Sequence, residues 1–343
     1  VGFPLCYRAV ASAPVNDSTV DQASDGQRPG PAAERVKVPD CRWETFLRQE
    51  SMVSTAVVLS GGASGGAVQV GMLRALTEAG VKIDFLVGSS VGAVNAAWFA
   101  AHPGLAGMDG LERVWLQLRR QDVFPTSALR TVLAARGRRS SLAGDHGLRD
   151  LLQRNLTFSR LEDAPIPLHV VVTDVQTGEG VLLSSGPVLP ALLATSAIPG
   201  VLPPVRIDGR WYMDGGVVDN TPISHAVRLG ADTVWVLPSG VPCALPSPPR
   251  TAAGMALHGL TLLLRSGLVA DIARFEQLVD LRGVDLHVVP PVCPLAVAAS
   301  DFSQARELIA RGYDVAASWL AEGRPDRTAS LAPHRHADSV ASD

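Results

Sequence analysis

The chain of 343 residues has only four cysteines, Cys6, Cys41, Cys243 and Cys293, and no two of them form a C-x-x-C pair. Such scattered thiols argue against a disulfide framework and against a zinc site, and they read as reduced. Positive charge is not in excess either. Thirty Lys and Arg stand against 33 Asp and Glu, for a net charge of −3, so the basic footprint that nucleic acid requires is missing. The most apolar stretch, "MALHGLTLLLRSGLVADIARF", is broken by His258 and Arg265. It falls short of the roughly 20 uninterrupted apolar residues of a spanning helix, and any membrane contact is expected to be peripheral. A basic segment leading into an apolar run is absent from the first residues, so no secretory signal is read and a cytoplasmic location is expected.

What the chain does have is 47% hydrophobic residues with 18% charged ones, a balance that suits a globular protein with a substantial core. Residues 1–52 are rich in Pro, Ala, Ser and Asp without a sustained period, and are expected to be a disordered extension. Met52 falls just before regular patterning begins, so a natural start near it is one reading of that extension. Residues 324–343 look like a flexible tail, which leaves one domain over residues 55–323.

Inside that domain, "TAVVLS" is a buried strand, followed by glycines and then "AVQVGMLRALTEAG", with Val70, Leu73 and Leu76 at helical spacing. "VKIDFLV" and "GAVNAAWFAA" repeat the unit. Two such strand-to-helix units imply right-handed crossovers and an α/β layered fold, a mostly parallel central sheet flanked by helices. Ligands gather at the carboxyl ends of strands in such sheets. "LHVVVTD" is a strand ending at Asp174. "VRIDGRWYMDGG" reads as a hairpin turning at Asp208-Gly209, with Asp214 at the end of its second arm. A helix over about 222–229, a strand "DTVWVLP", a Pro-rich break over 242–249, two apolar helices, a strand "VDLHVVP" and a helix from about Asp301 follow.

Two serines sit in Gly-x-Ser-x-Gly settings, Ser90 in "GSSVG" and Ser64 in "GASGG". A tight strand-to-helix turn exposes the Ser90 hydroxyl, with Gly88 and Gly92 avoiding collisions at the bend. The glycine-rich loop around Ser64 suits an anion cradle of backbone amides instead. It lacks the Lys of a nucleotide-binding loop, and Ala63 breaks a dinucleotide fingerprint. Ser90 is therefore the expected nucleophile. Its base is less obvious. His225 lies in an apolar helix pattern where packing explains it, and Asp214 is followed by Gly215 and Gly216, which permit a close approach of another backbone. A Ser-His-Asp arrangement of Ser90, His225 and Asp214 or Asp174 stays open at this point, as does a non-catalytic lipid-binding protein.

Taken together, "GGASGG" at Gly61 to Gly66, "GSSVG", "TDVQTG", "TSAIPGVLPP" and "DGG" at Asp214 resemble the patatin-like phospholipases, bacterial members in particular. The resemblance runs from about Thr55 to Gly323. It implies a Ser90–Asp214 dyad without histidine, an oxyanion hole of backbone amides at Gly61, Gly62 and Ala63, and a lipid or other acyl ester as substrate, with no metal or cofactor. Gly66, Gly88, Gly92, Gly215 and Gly216 would be motif glycines. The chain departs from the pattern where Ala63 replaces a third glycine and Gly65 a basic residue. The helices around Leu257 to Leu268 are candidates for the wall of an acyl pocket.

Overall fold

A computed structural model describes residues 53–125, 140–239, 283–293 and 297–325, with a few single positions between 248 and 295. The expected extension over 1–52, the Pro-rich break, most of the apolar helices around 257–268 and nearly all of the tail lie outside the described residues.

Strand β1 (Thr55–Leu59) leads through the glycine loop into helix α1 (Gly66–Glu78), and β2 (Phe85–Ser89) leads directly into α2 (Val91–Ala101), followed by α3 (Leu105–Gln117). The later strands are β3 (Leu168–Asp174), β4 (Gly180–Leu183), β5 (Val205–Ile207), β6 (Arg210–Asp214), β7 (Thr233–Leu237) and β8 (Asp285–Val288). They form an eight-stranded sheet in the order β5-β6-β3-β2-β1-β7-β8, with β4 also paired to β3. From β3 through β8 along that order the pairing is parallel, whereas β4, β5 and β6 join antiparallel.

The side-chain alternation of β1 explains why both faces are covered. Val57 and Leu59 point into a core shared with α1, α2, α3 and the closing helix Ala305–Ala321. Ala56 and Val58 point the other way, toward Ile223 and Ala226 of the short helix Ile223–Arg228. The strand is buried on both sides, as a parallel sheet requires. Each fully buried leucine of α1, such as Leu73 or Leu76, contributes roughly 1.5–3 kcal/mol.

The Asp208-Gly209 turn has φ of 46° and 85°, the two left-handed residues of a type I′ hairpin turn. The closing helix begins at Ala305 rather than Asp301, because the Asp301 carboxylate accepts the Ser303 amide and makes a turn there. One helix, Val188–Thr195, was not expected from the sequence, since Pro190 falls inside it. Proline is tolerated there because the first turn of a helix has no use for that amide hydrogen.

α1 and the closing helix approach so closely that their glycines meet backbone. A Cβ on Gly71 would lie 2.0 Å from the Ile309 carbonyl, and one on Gly312 2.2 Å from the Val68 carbonyl.

Candidate active site

Register brings the two candidate catalytic residues together. Ser89 of β2 pairs with Val171 of β3, and the next residue of β3, Val172, pairs with Asp214 of β6. Position 90 is thereby set beside position 214, although 124 residues separate them. The Ser90 hydroxyl donates to Asp214 Oδ2 at 2.7 Å. The other carboxylate oxygen, Oδ1, accepts the Gly216 amide at 2.8 Å.

Ser90 has φ 53° and ψ −130°, a strained conformation for a residue with a Cβ. The Thr195 hydroxyl holds it there, accepting the Ser90 amide at 2.8 Å and donating to the Val171 carbonyl at 2.5 Å. Gly92 lets α2 start directly beneath β1, where a Cβ would lie 2.3 Å from the Leu59 carbonyl. Gly88, Gly66 and Gly215 are closely packed in the same manner.

The Asp214 carboxyl is 5% exposed. Burial pushes its pKa up to about 7, against the opposing pull of the hydrogen bonds from Ser90 and Gly216. Asp174 is pulled the other way, below the usual carboxylate range, chiefly by the amides of Gln176 and Thr177. It caps a turn. His225 approaches Asp219 at 3.5 Å and accepts from Arg228 at 3.2 Å. Burial first, then Arg228 and His169, lowers its pKa to about 4, so the ring is neutral at pH 7 and its contact with Asp219 is no ion pair. Neither Ser90 nor Asp214 is among its hydrogen-bond partners.

The glycine loop is fixed by residues far away in sequence. Ser64 is buried, donates its hydroxyl to the Ala298 carbonyl at 2.9 Å and its amide to Ala299 at 3.0 Å. Its rotamer is thereby held by the Ala298 carbonyl, and held away from nucleophilic use. Gly61, expected among the oxyanion donors, gives its amide to the Asn220 carbonyl at 3.1 Å. Its own carbonyl accepts from Ser239 Oγ at 2.5 Å and Asn220 Nδ2 at 3.3 Å. The amides of Gly62 and Ala63 have no partner among the described residues. A Cβ at Gly65 would begin 2.5 Å from the Ser239 carbonyl, which explains why the basic residue of the family pattern has no place there.

Ala63 sits at φ 49°, a conformation that disfavours any Cβ by about 1–2 kcal/mol. Ala63→Gly should therefore raise stability by about 1 kcal/mol and leave turnover within about threefold, since no donor is removed. Denaturant unfolding beside an esterase assay checks both.

From Ser90 an apolar cleft runs between α2, α3 and the helix His146–Asn155. Val94, Trp98, Leu111, Trp115, Leu152 and Phe302 form much of its wall. Ser196 also lines it, with a hydroxyl that has no partner among the described residues. The described wall is thus built largely from helices between residues 91 and 155, with Ser196, Ile198, Leu202 and Phe302 completing it, whereas the 257–268 segment expected to form it lies largely outside the described residues. Among the described residues no group of His, Cys, Asp and Glu is arranged to hold a metal ion, and no helix is long and apolar enough to cross a membrane.

Residues 57–227 match the family model of the patatin-like phospholipases. The chain belongs to this family. Lysophospholipase nte1 of Aspergillus terreus is 25% identical over 305 residues, 81% of this chain and 19% of that protein. Patatin-like phospholipase domain-containing protein 7 of Mus musculus is 29% identical over 207 residues, 59% of this chain and 15% of that protein. An uncharacterized NTE family protein of Mycobacterium bovis is 29% identical over 286 residues, 82% of this chain and 72% of that protein. The chain therefore spans less than a fifth of the fungal and mouse relatives. The patatin-like match stops at residue 227, short of Ser239, Ala298 and Ala299, which hold the glycine loop. Asn220, Ser239 and the neighbourhood of Ala298 escaped the sequence reading, because no local motif marks a residue whose partner is 159 to 234 positions away.

Proposed function

We propose that the chain is a serine acyl hydrolase that cleaves carboxylic esters of lipids, of phospholipase A or lysophospholipase type, through an acyl-enzyme on Ser90. The observation that carries this reading is the 2.7 Å hydrogen bond from Ser90 to a buried Asp214 at the head of an apolar cleft. The name of the Aspergillus relative supports the substrate class. The proposed catalytic unit is residues 55–323.

In the first half-reaction the acyl chain lies in the cleft and the ester carbonyl carbon sits over Ser90 Oγ. Asp214 Oδ2 takes the hydroxyl proton as Oγ attacks. The carbonyl oxygen becomes an oxyanion, received by the Gly62 and Ala63 amides, the two left unpaired in the loop. Gly61, whose amide is taken by the Asn220 carbonyl, shapes that loop and is left out of the proposed donors to the oxyanion. The positive end of the α2 dipole lies beneath the same point. The carbon–oxygen bond to the alcohol then breaks, and the alcohol leaves with the proton from Asp214. In the second half-reaction water gives its proton to Asp214 and its oxygen to the acyl carbon. The fatty acid departs and the proton returns to Ser90.

Because Asp214 must be ionised to accept a proton, kcat/KM should rise with pH and level off above about 7. Below that point it should fall about tenfold per pH unit. The decisive experiment incubates lipid extract with the purified protein and with Ser90→Ala, then compares free fatty acids and lyso-lipids by mass spectrometry. Fatty acid release by the wild type alone supports the reading. Identical lipid profiles, together with no labelling of Ser90 by a fluorophosphonate, would sink it in favour of a binding protein.

A further inference from the structure

Gln69 and Asn95 are primary amides set among apolar and small neighbours on their helices, and both are wholly buried. A buried amide must satisfy each of its hydrogens and its oxygen or lose its hydration without compensation. Here each is accounted for. Gln69 Nε2 donates to the Ser60 carbonyl at 2.8 Å and to the Leu237 carbonyl at 3.0 Å. Asn95 Nδ2 donates to the Gly66 carbonyl at 2.9 Å and to Gln69 Oε1 at 3.0 Å. Asn95 Oδ1 in turn accepts the Trp115 indole N–H at 3.0 Å.

The targets matter more than the count. Ser60 and Gly66 are the two ends of the glycine loop, Leu237 ends the strand next to β1, and Asn95 lies on the helix that Ser90 begins. The chain of amides therefore ties both ends of the loop to the helix carrying the nucleophile. The amides of Gly62 and Ala63 lie between those two ends. An oxyanion donor works only when it lies about 2.7–3.1 Å from the position the oxygen will take, and an error of about 1 Å in placement can lower the rate about a hundredfold.

We infer that Gln69, Asn95 and Trp115 are positioning residues that fix the spacing between the Ser90 hydroxyl and the loop amides. This inference rests on the hydrolase reading above. Gln69 is the discriminating position. Asn95 and Trp115 also line the cleft, so changing them disturbs acyl binding, whereas Gln69 does not line it. Asp214 takes its hydrogen bonds from Ser90 and Gly216, outside this network.

Gln69→Met keeps the side-chain length and removes every hydrogen bond it makes. In folded protein, kcat for a lysophospholipid should fall about 30-fold, with KM within about twofold and the pH midpoint unmoved. Inactivation by a long-chain phosphonate, whose P=O must occupy the same hole, should slow in proportion. A residue that merely supports packing would instead shift KM, the pH midpoint and the unfolding temperature together.

If Gln69→Met does not fold, Trp115→Phe, which removes only the last N–H of the chain and some cleft wall, should still lower kcat and phosphonate inactivation by about the same factor as each other. Wild-type kcat and phosphonate rates in folded Gln69→Met, or in folded Trp115→Phe when that variant stands in, overturn the inference and leave the hydrolase reading standing. Absence of Ser90-dependent hydrolysis in the wild type overturns both.

Discussion

Ser90→Ala should lower turnover of a lysophospholipid by on the order of 10⁵-fold or more, which places it at the background left by the donors and the cleft alone. The expectation follows from geometry. Ser90 is the hydroxyl at the strained turn, 2.7 Å from a buried carboxylate, and no other side chain can occupy the same point. The variant should fold, since alanine meets the same backbone strain as serine and the Thr195 bond to its amide survives. Ser64→Ala is the contrasting case. Its hydroxyl is committed to the Ala298 carbonyl, so the loss should stay within about tenfold, the effect of a loosened loop rather than a missing nucleophile. Residual Ser90→Ala turnover above about 1%, or a phosphonate adduct mapping to Ser64 by peptide mass, would reassign the two serines.

Asp214→Asn should lower kcat by about 10⁴-fold, because an amide keeps the shape and cannot take the Ser90 proton. His225→Ala should stay within about threefold of the wild type, since its ring is neutral and engaged with Asp219 and Arg228. A dead but folded His225→Ala protein would restore the triad. The same Asp214→Asn variant carries a second, opposite effect. A carboxyl whose pKa is raised from 3.8 to about 7 by burial has a stabilising neutral form, whose benefit is complete below pH 3.8 and is lost as pH rises to about 7. Above that the ionised group destabilises the fold by on the order of 4 kcal/mol. Asp214→Asn should therefore melt higher than the wild type at pH 8, with the difference shrinking toward pH 4. A lower melting temperature at pH 8 would mean that the carboxylate is better solvated than its burial implies.

Parts of this site were legible because they are local. The short continuous apolar run at Thr55–Leu59, the glycines around Ser90 and the Asp208-Gly209 pair each encode their conformation within a few residues. Asp214 was legible because a hairpin delivers a strand end. The pairing of Asp214 with Ser90 came from family resemblance, since a register set by β3 leaves no mark in either segment. Which loop amides are already occupied was hidden as well. Gly61 looks like its neighbours in sequence, and only the Asn220 carbonyl distinguishes it. Gln69 and Asn95 did leave a signal, a lone amide in "AVQVG" and another in "AVNAAW". Without their partners that signal could not be assigned.

The glycine loop is flanked by residues 60–66, yet it is held by Ala298 and Ala299, and α1 behind it packs on the closing helix through Gly71 and Gly312. On the ribosome, the proposed nucleophile, the proposed base and most of the cleft wall emerge before the segment that steadies the loop. A nascent chain released near residue 290 would carry both members of the proposed dyad and still lack the carbonyls that settle the loop proposed to receive the developing negative charge. On the proposed reading, activity waits for residues 298 and 299 to be made, and a stop codon anywhere between Asp214 and Ala298 should be as damaging as one before Ser90.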